Sequence, residues 1–340
     1  MNLKFFTVAI ALFATAIASQ ANAETPAKHS DMCDASAAVP ISSSLFVVAN
    51  DEDNILRVYK RDESGESVYS KDISTDLKIK PKKKHSEADI LNYPEADIEG
   101  ATLIGNRIYW ITSHGTNSGG EQKPNRHRIF ATDIEHNGDK VNLKPVGTPF
   151  VDLVQALENA DNLKPFNLGK AAEKAPESEG GLNIEGLAST PEGHLLIGFR
   201  NPIPDKKALL VTLENPQAVI EDKKQPKLGK PISLDLGGLG IRSIEYSQAK
   251  SVYFIIAGSY NDDGNFQLYS WSGKTDDAAT LVKGVDFQGL NPEALIIYPE
   301  EKTRIQILSD DGSKDVEGVA CKDLKNAEDK SFRSIWLNIN

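Results

Sequence analysis

Cysteine is almost absent from this chain: of 340 residues, only Cys33 and Cys321 carry a thiol. Two thiols cannot build a cysteine-rich zinc site. Long apolar runs are missing too. Beyond the first two dozen residues, nothing approaches the roughly 18 consecutive apolar residues that a spanning helix needs. There is no Gly-x-Ser-x-Gly elbow, no His-Glu-x-x-His pair and no Gly-rich loop ending in Lys, so the serine hydrolases, zinc proteases and P-loop enzymes that carry those motifs find no support. Positive charge is in deficit, with 38 Lys and Arg against 49 Asp and Glu and a formal net charge of −11. That balance argues against nonspecific binding to nucleic acid or an anionic membrane, and it suits cation binding.

What is present starts with a leader. Lys4 precedes an apolar stretch over residues 5–17, and Ala21-Asn22-Ala23 forms a small-residue cleavage site. Residues 1–23 therefore read as a secretory signal peptide and residues 24–340 as a single domain. No cysteine sits at the cleavage point, so no lipid anchor is expected there. The mature protein is expected in the periplasm or secreted. In an oxidising compartment a Cys33–Cys321 disulfide joining the two ends is the default expectation, with two buried free thiols as the alternative.

A unit then recurs four times. Its copies open Asp97-Ile98-Glu99-Gly100, Asn183-Ile184-Glu185-Gly186, Ser243-Ile244-Glu245-Tyr246 and Asn291-Pro292-Glu293-Ala294. Each continues as an apolar run, a polar turn, a second apolar run and a polar cluster. The clusters begin at Ser113-His114-Gly115, Arg200-Asn201-Pro202, Gly258-Ser259-Tyr260 and Ser309-Asp310-Asp311. A fifth unit, over residues 45–54, has the second run and the cluster Asn50-Asp51-Glu52-Asp53. Its glutamate slot falls near residues 34–37 and holds no glutamate.

The apolar runs at 45–49, 107–112, 195–199, 252–257 and 304–308 are rich in β-branched and aromatic residues and bounded by turn residues, so they read as strands. Third strands follow at 55–59, 128–132, 208–213, 267–271 and 331–337. Helical periodicity is confined to 151–160, where Val151, Val154 and Leu157 share a face. Strand-rich units with one pattern per unit, spaced about 50 to 90 residues apart, predict an all-β, single-domain β-propeller of five blades, or six if 143–167 holds a degenerate one. A sandwich is the runner-up. Two stretches lie outside the pattern. Residues 78–85 are basic and followed by Glu87 and Asp89; they read as a solvated loop, or else as an anion-binding arm. Residues 168–181 read as a mobile stretch leading into the second repeat, where they can cover a site.

In a propeller the first strand of each blade starts, and the second ends, on the same rim of the central channel. Glu99, Glu185, Glu245 and Glu293 would therefore ring that mouth. Two like charges about 8 Å apart repel by about 2 kcal/mol at an effective dielectric near 20, so the ring needs compensation. One form is a metal held by hard oxygens, Ca²⁺ by preference, with Asp51, Asp310, Asn201 and Asn261 as further donors. The other is arginine: Arg200, Arg242, Arg126 and Arg128 lie beside the motifs and could also hold the anionic group of a small-molecule ligand. His114 is the one histidine expected at the rim and a candidate general base, alongside Glu185 as a catalytic carboxylate. The rival reading makes each glutamate a fastener between blades.

The motif string resembles a bacterial family of exported proteins known only as a domain of unknown function. The matching segments include Glu95-Ala96-Asp97-Ile98-Glu99-Gly100, Asn183-Ile184-Glu185-Gly186-Leu187, Gly198-Phe199-Arg200-Asn201-Pro202, Gly240-Ile241-Arg242-Ser243-Ile244-Glu245 and Leu308-Ser309-Asp310-Asp311-Gly312. The Glu-Gly openings are more distantly similar to those of esterase-like phytases and calcium-dependent propeller lactonases. That resemblance implies a metal and a substrate at the channel mouth. Two functions follow as expectations: a calcium-dependent hydrolase of a small anionic ester, lactone or phosphoester, or a non-catalytic ligand-binding or scaffold propeller of the cell envelope.

Overall fold

The computed structural model describes residues 25–82, 92–137, 140–261 and 263–339. The leader over 1–23, the end of the basic stretch from Lys83 to His85, and the Glu87 and Asp89 that follow it lie outside the described residues. Among the described residues the strands form five four-stranded antiparallel sheets and one two-stranded hairpin. The sheets are the blades of a five-bladed β-propeller, as the repeat predicts.

From channel to rim, blade one is Ala37–Pro40, Leu45–Ala49, Ile55–Lys60 and Tyr69–Asp72, and blade two is Ile98–Ile104, Arg107–Thr112, Ile129–Asn137 and Lys140–Phe150. Blade three is Asn183–Ser189, Leu195–Asn201, Ala208–Leu213 and Ile232–Leu234; blade four is Gly240–Ser247, Val252–Gly258, Phe266–Trp271 and Thr280–Leu281. Blade five takes Pro292–Ile296, Arg304–Ser309 and Ser331–Asn338 from the C-terminal end. Its outermost strand, Ala27–Ser30, comes from the N-terminal end. Each innermost strand touches the next, and Pro292–Ile296 touches Ala37–Pro40, so the ring closes.

Strand alternation explains the doubly apolar runs. Successive side chains point to opposite faces, and every sheet is covered by a neighbour on both sides. Val47 and Ala49 pack toward blade two with Ile98 and Trp110. Phe46 and Val48, from the same strand, pack toward blade five with Ala294 and Phe332. Five apolar clusters fill the five gaps between blades.

The single expected helix forms as Leu153–Asn159, but it buries Leu153 and Leu157 while Val151 lies exposed before its start. Two further helices, Leu168–Ala171 and Pro216–Asp222, were not legible as helical periodicity. There is no sixth blade in 143–167: its first part is the outer strand of blade two, and the rest is the helix and turns that follow. The Cys33–Cys321 disulfide forms, with Cα atoms 5.9 Å apart. Among the described residues no helix is long and apolar enough to cross a membrane.

The closing strand carries a buried histidine. His29 is fully buried, stacks on Phe332 at 4.8 Å and lies 3.0 Å from the Ser334 hydroxyl through Nε2. Burial lowers its pKa to about 4, which favours the neutral ring. The unfolded chain binds the proton more tightly, so this stability is present above pH ~6.5 and is lost as pH falls toward 4. Between pH 7 and 4 the loss from this group is expected to be on the order of 3 kcal/mol. Urea unfolding of the wild type and of His29→Leu at both pH values measures it: the variant should lose less stability on acidification, and equal losses would remove His29 from the account.

Candidate metal and ligand site at the channel mouth

In blades two to five the pairing of the first and second strands is interrupted by a bulge at a corresponding place, whereas the pairing in blade one is unbroken. The ladder skips one residue between Ile98 and Gly100, Ile184 and Gly186, Ile241 and Ser243, and Pro292 and Ala294. The skipped residues are Glu99, Glu185, Arg242 and Glu293. A bulge turns one side chain out of the pleat, and all four line the same cavity of about 300 Å³ at the channel mouth. The Gly after Glu99 has a packing cause: a Cβ on Gly100 would lie 2.9 Å from the Glu185 carbonyl oxygen of the next blade.

The bulge register corrects one member of the predicted ring. In blade four the position belongs to Arg242, and Glu245 stands three residues further along the strand. Glu245 lines a second cavity, of about 400 Å³, with the turn residues Thr190, Gln248 and Pro299, at the opposite end of the channel. Burial raises its pKa to about 8, while the Tyr246 N–H (2.9 Å) and the Thr102 hydroxyl partly offset that rise. Thr102 in turn accepts from the Ser189 N–H at 2.8 Å. Glu245 thus ties blades two, three and four together. The sequence carried the signal, since the interval from Arg242 to Gly258, not that from Glu245, matches the interval from Glu293 to Ser309.

The cavity has two kinds of wall. On one side Glu185 is 3% exposed and both its oxygens are engaged: Arg200 Nη1 lies 2.9 Å from Oε1, and Arg242 Nη1 lies 3.4 Å from Oε2. Arg242 also reaches Glu293 Oε1 at 2.5 Å and lies over the Phe266 ring. The chain Glu185–Arg242–Glu293 therefore joins blades three, four and five.

The other wall is acidic. Carboxylate oxygens of Asp51, Asp97 and Glu99 lie within 4.8 Å of one another, and so do those of Asp34, Asp51 and Glu52. Asp34 bridges to Asp310 in the backbone and shares a carboxyl–carboxyl hydrogen bond with it. Burial, reinforced by neighbouring carboxylates, lifts Asp34 to about 9 and pushes Asp51, Glu99 and Glu293 well above the carboxylate range. Asp310 is raised as well, by burial. Asp97 rises only to about 6, because Arg126 at 3.1 Å and the Ser113 hydroxyl offset its burial. Two oxygens here are buried with no hydrogen-bond partner, Asp51 Oδ1 and Asn183 Oδ1; the Asn183 side chain belongs to a residue 5% exposed.

Several predicted site residues stand elsewhere. His114 is fully buried and does not line the cavity; its Nδ1–H donates to the Thr112 carbonyl (2.7 Å), and burial beside His127 lowers its pKa to about 3. Arg128 donates to the carbonyls of Leu77, Pro124 and His127. Asn201 donates to the carbonyls of Pro176 and Ser178, and Asn261 is exposed outside the cavity. The stretch 168–181, expected to be mobile, is held down by those Asn201 bonds and by the Thr116 hydroxyl on the Lys174 carbonyl at 2.8 Å. It places Pro176 and Glu177 on the cavity. Glu99, Glu185, Glu293, Asp51, Asp310, Arg126, Arg200 and Arg242 do converge there. Asp34, Asp97 and Asn183 were missed. Asp34 fills the apparently empty slot of the first unit, and Asp97 stands two residues before Glu99, at a left-handed φ of 64° that a short polar side chain tolerates.

Residues 131–295 match the model of a family described as "Protein of unknown function (DUF3616)". The match bears out the resemblance to a family without an assigned activity. No curated protein matches the sequence. Among solved structures the chain is similar to the glutaminyl cyclase of Myxococcus xanthus, at 10% identity, with 94% of this chain and 97% of that chain covered and a TM-score of 0.42. It is also similar to the native arabinanase Arb43A of Bacillus subtilis (12% identity, 93% and 96% covered, TM-score 0.44). A third is the PQQ-bound aldose sugar dehydrogenase of Streptomyces coelicolor (10% identity, 93% and 97% covered, TM-score 0.43). At these scores the likenesses say nothing of ligand or activity.

Proposed function

We propose that this propeller is an exported, calcium-dependent hydrolase of a small anionic ester, lactone or phosphoester, with its site at the acidic channel mouth. The observation that carries the reading is the pair of carboxylate groups sharing Asp51, each drawn together within 4.8 Å. A divalent cation fits this donor set: every donor is a hard oxygen, Ca²⁺ accepts six to eight of them, and the unpartnered oxygens of Asp51 and Asn183 are acceptors in want of a positive partner. Asp51, Asp97 and Glu99 would hold the cation, with Asp34, Asp310 and Glu293 around it. Glu185, engaged by two arginines, and Glu245, at the far end of the channel, are not in this set.

When bound, such a cation polarises a carbonyl or phosphoryl oxygen and stabilises developing negative charge. Arg200 and Arg242 frame the opposite side of the same cavity, Arg126 stands beside Asp97, and the three orient the substrate's anionic group. Pro176, Glu177 and Phe266 limit the space and exclude water. The disulfide and the leader-like residues 1–23 support export.

A second reading is favoured by the bridge Glu185–Arg242–Glu293, which spans three blades: a non-catalytic ligand-binding or scaffold propeller. Chelator-stripped protein should melt at a temperature that climbs with the logarithm of added calcium, by the equivalent of about 2.7 kcal/mol at a hundred times Kd. A flat response would end the calcium reading. A panel of esters, lactones and phosphoesters then separates the two functions, since only the hydrolase should turn any of them over in a calcium-dependent way.

A further inference from the structure

We propose that the Cys33–Cys321 disulfide is a positioning element of the cation site, raising its affinity by holding Asp34 against Asp310. The inference rests on the calcium reading above.

Ring closure alone does not call for this bond. The strand Ala27–Ser30 is already paired along its length with Ser331–Ser334, and Met32, Phe46, Tyr59 and Phe332 fill the seam. The disulfide sits at a different place, in the wall of the cavity. Asp34 follows Cys33 directly and Lys322 follows Cys321, and both line the cavity. The Cys33 carbonyl accepts from the Asp311 N–H at 2.9 Å. The Cys321 N–H donates to the Lys314 carbonyl at 2.9 Å, and the Lys322 N–H to the Gly312 carbonyl at 3.0 Å. Both cysteines are 1% exposed. The bond therefore staples the segment carrying Asp34 to the loop that carries Asp310 and Lys322.

The fit there is close. A Cβ on Gly312 would lie 1.6 Å from Asp34 Oδ1, so only glycine lets the loop approach. Asp34 and Asp310 are two carboxyl groups held in contact, and when ionised they repel. A cation uses both charges only if they stay together while it is away. A covalent tether beside them prevents the pair from separating and so reduces the reorganisation that binding must overcome. The oxidising compartment that forms the bond thereby also switches the site to its tight-binding form.

Calcium alone is the probe, titrated by calorimetry into the full mature chain. Removing both thiols, Cys33→Ser with Cys321→Ser, should weaken calcium binding by about tenfold or more, the range found when a partner that orients a metal ligand is lost. In an Asp34→Asn background the same pair of substitutions should cost no further affinity, because the bond acts through Asp34. A purely structural bond would lower the calcium-free melting temperature and leave affinity unchanged; that result overturns the proposal. If the double variant does not fold, Gly312→Ala in the disulfide-intact chain displaces Asp34 directly and should show the same loss; unchanged affinity there also overturns it. Absence of calcium binding in the oxidised wild type would instead remove the cation reading itself.

Discussion

Glu185→Gln is expected to destabilise the calcium-free fold by about 3 kcal/mol, the lower end of the cost of removing one partner from a buried ion pair. Glu185 is 3% exposed, and Arg200 and Arg242 are each 4% exposed. Its two oxygens accept from the two guanidiniums at 2.9 and 3.4 Å. A glutamine keeps one acceptor and replaces the other with an NH₂ group, a donor facing a donor. Arg242 retains Glu293, and Arg200 retains the Ser259 carbonyl at 3.1 Å, which holds the cost at the low end. Chemical denaturation in the presence of chelator measures it. A fall of that size with activity lost in proportion to unfolding identifies Glu185 as a fastener across blades three and four. An unchanged unfolding free energy with activity abolished would instead make it a chemical participant.

Asp51→Asn should have effects of opposite sign on binding and on stability. Asp51 is the carboxylate shared by both acidic groups. Replacing a direct ligand by a neutral amide is expected to weaken calcium binding on the order of 100-fold or more, since even partners one step removed from a metal cost up to that much. Most of the thermal shift with calcium would then vanish. In the calcium-free protein the same change should raise the melting temperature. Burial and the charges of Asp34, Asp310, Asp97 and Glu52 disfavour the ionised Asp51 in the folded state, so at neutral pH this group works against folding. An amide of the same shape removes that penalty. Sites selected for function at the expense of stability behave this way. A calcium-free melting temperature that falls with Asp51→Asn would show that the carboxylate is already compensated within the protein, and the scaffold reading would take precedence.

Much of the architecture was legible because it rests on local patterns. Runs such as 45–49 and 252–257, bounded by turn residues, became the second strands Leu45–Ala49 and Val252–Gly258. Their recurrence with one pattern per unit predicted blades, and the lone pair of cysteines predicted its own bond. The channel-mouth site was legible in part. Glu99, Glu185 and Glu293 recur in one motif and do meet, but Glu245 was placed with them on the likeness of Ser-Ile-Glu-Tyr to the other openings. Four blades carry the same bulge, but in blade four it falls on Arg242 and not on Glu245, and the bulged position decides which residue faces the channel. The likeness of the opening hid that offset, whereas the interval from Arg242 to Gly258, which matches that from Glu293 to Ser309, carried it.

The sequence by itself determined most of the strands, the propeller class, the expectation of a bond between Cys33 and Cys321 and the surplus of acid that makes a cation site conceivable. All of these follow from alternation, turn chemistry and composition, properties that act over a few residues or over the whole chain at once. The tertiary structure decided which charges meet. It buried His114 away from the cavity, sent Glu245 to the opposite mouth, set Arg242 between Glu185 and Glu293, and brought Asp34 from the start of the chain onto Asp310 near its end. Those outcomes depend on closing a ring, and ring closure sets distances between residues that no local interaction relates.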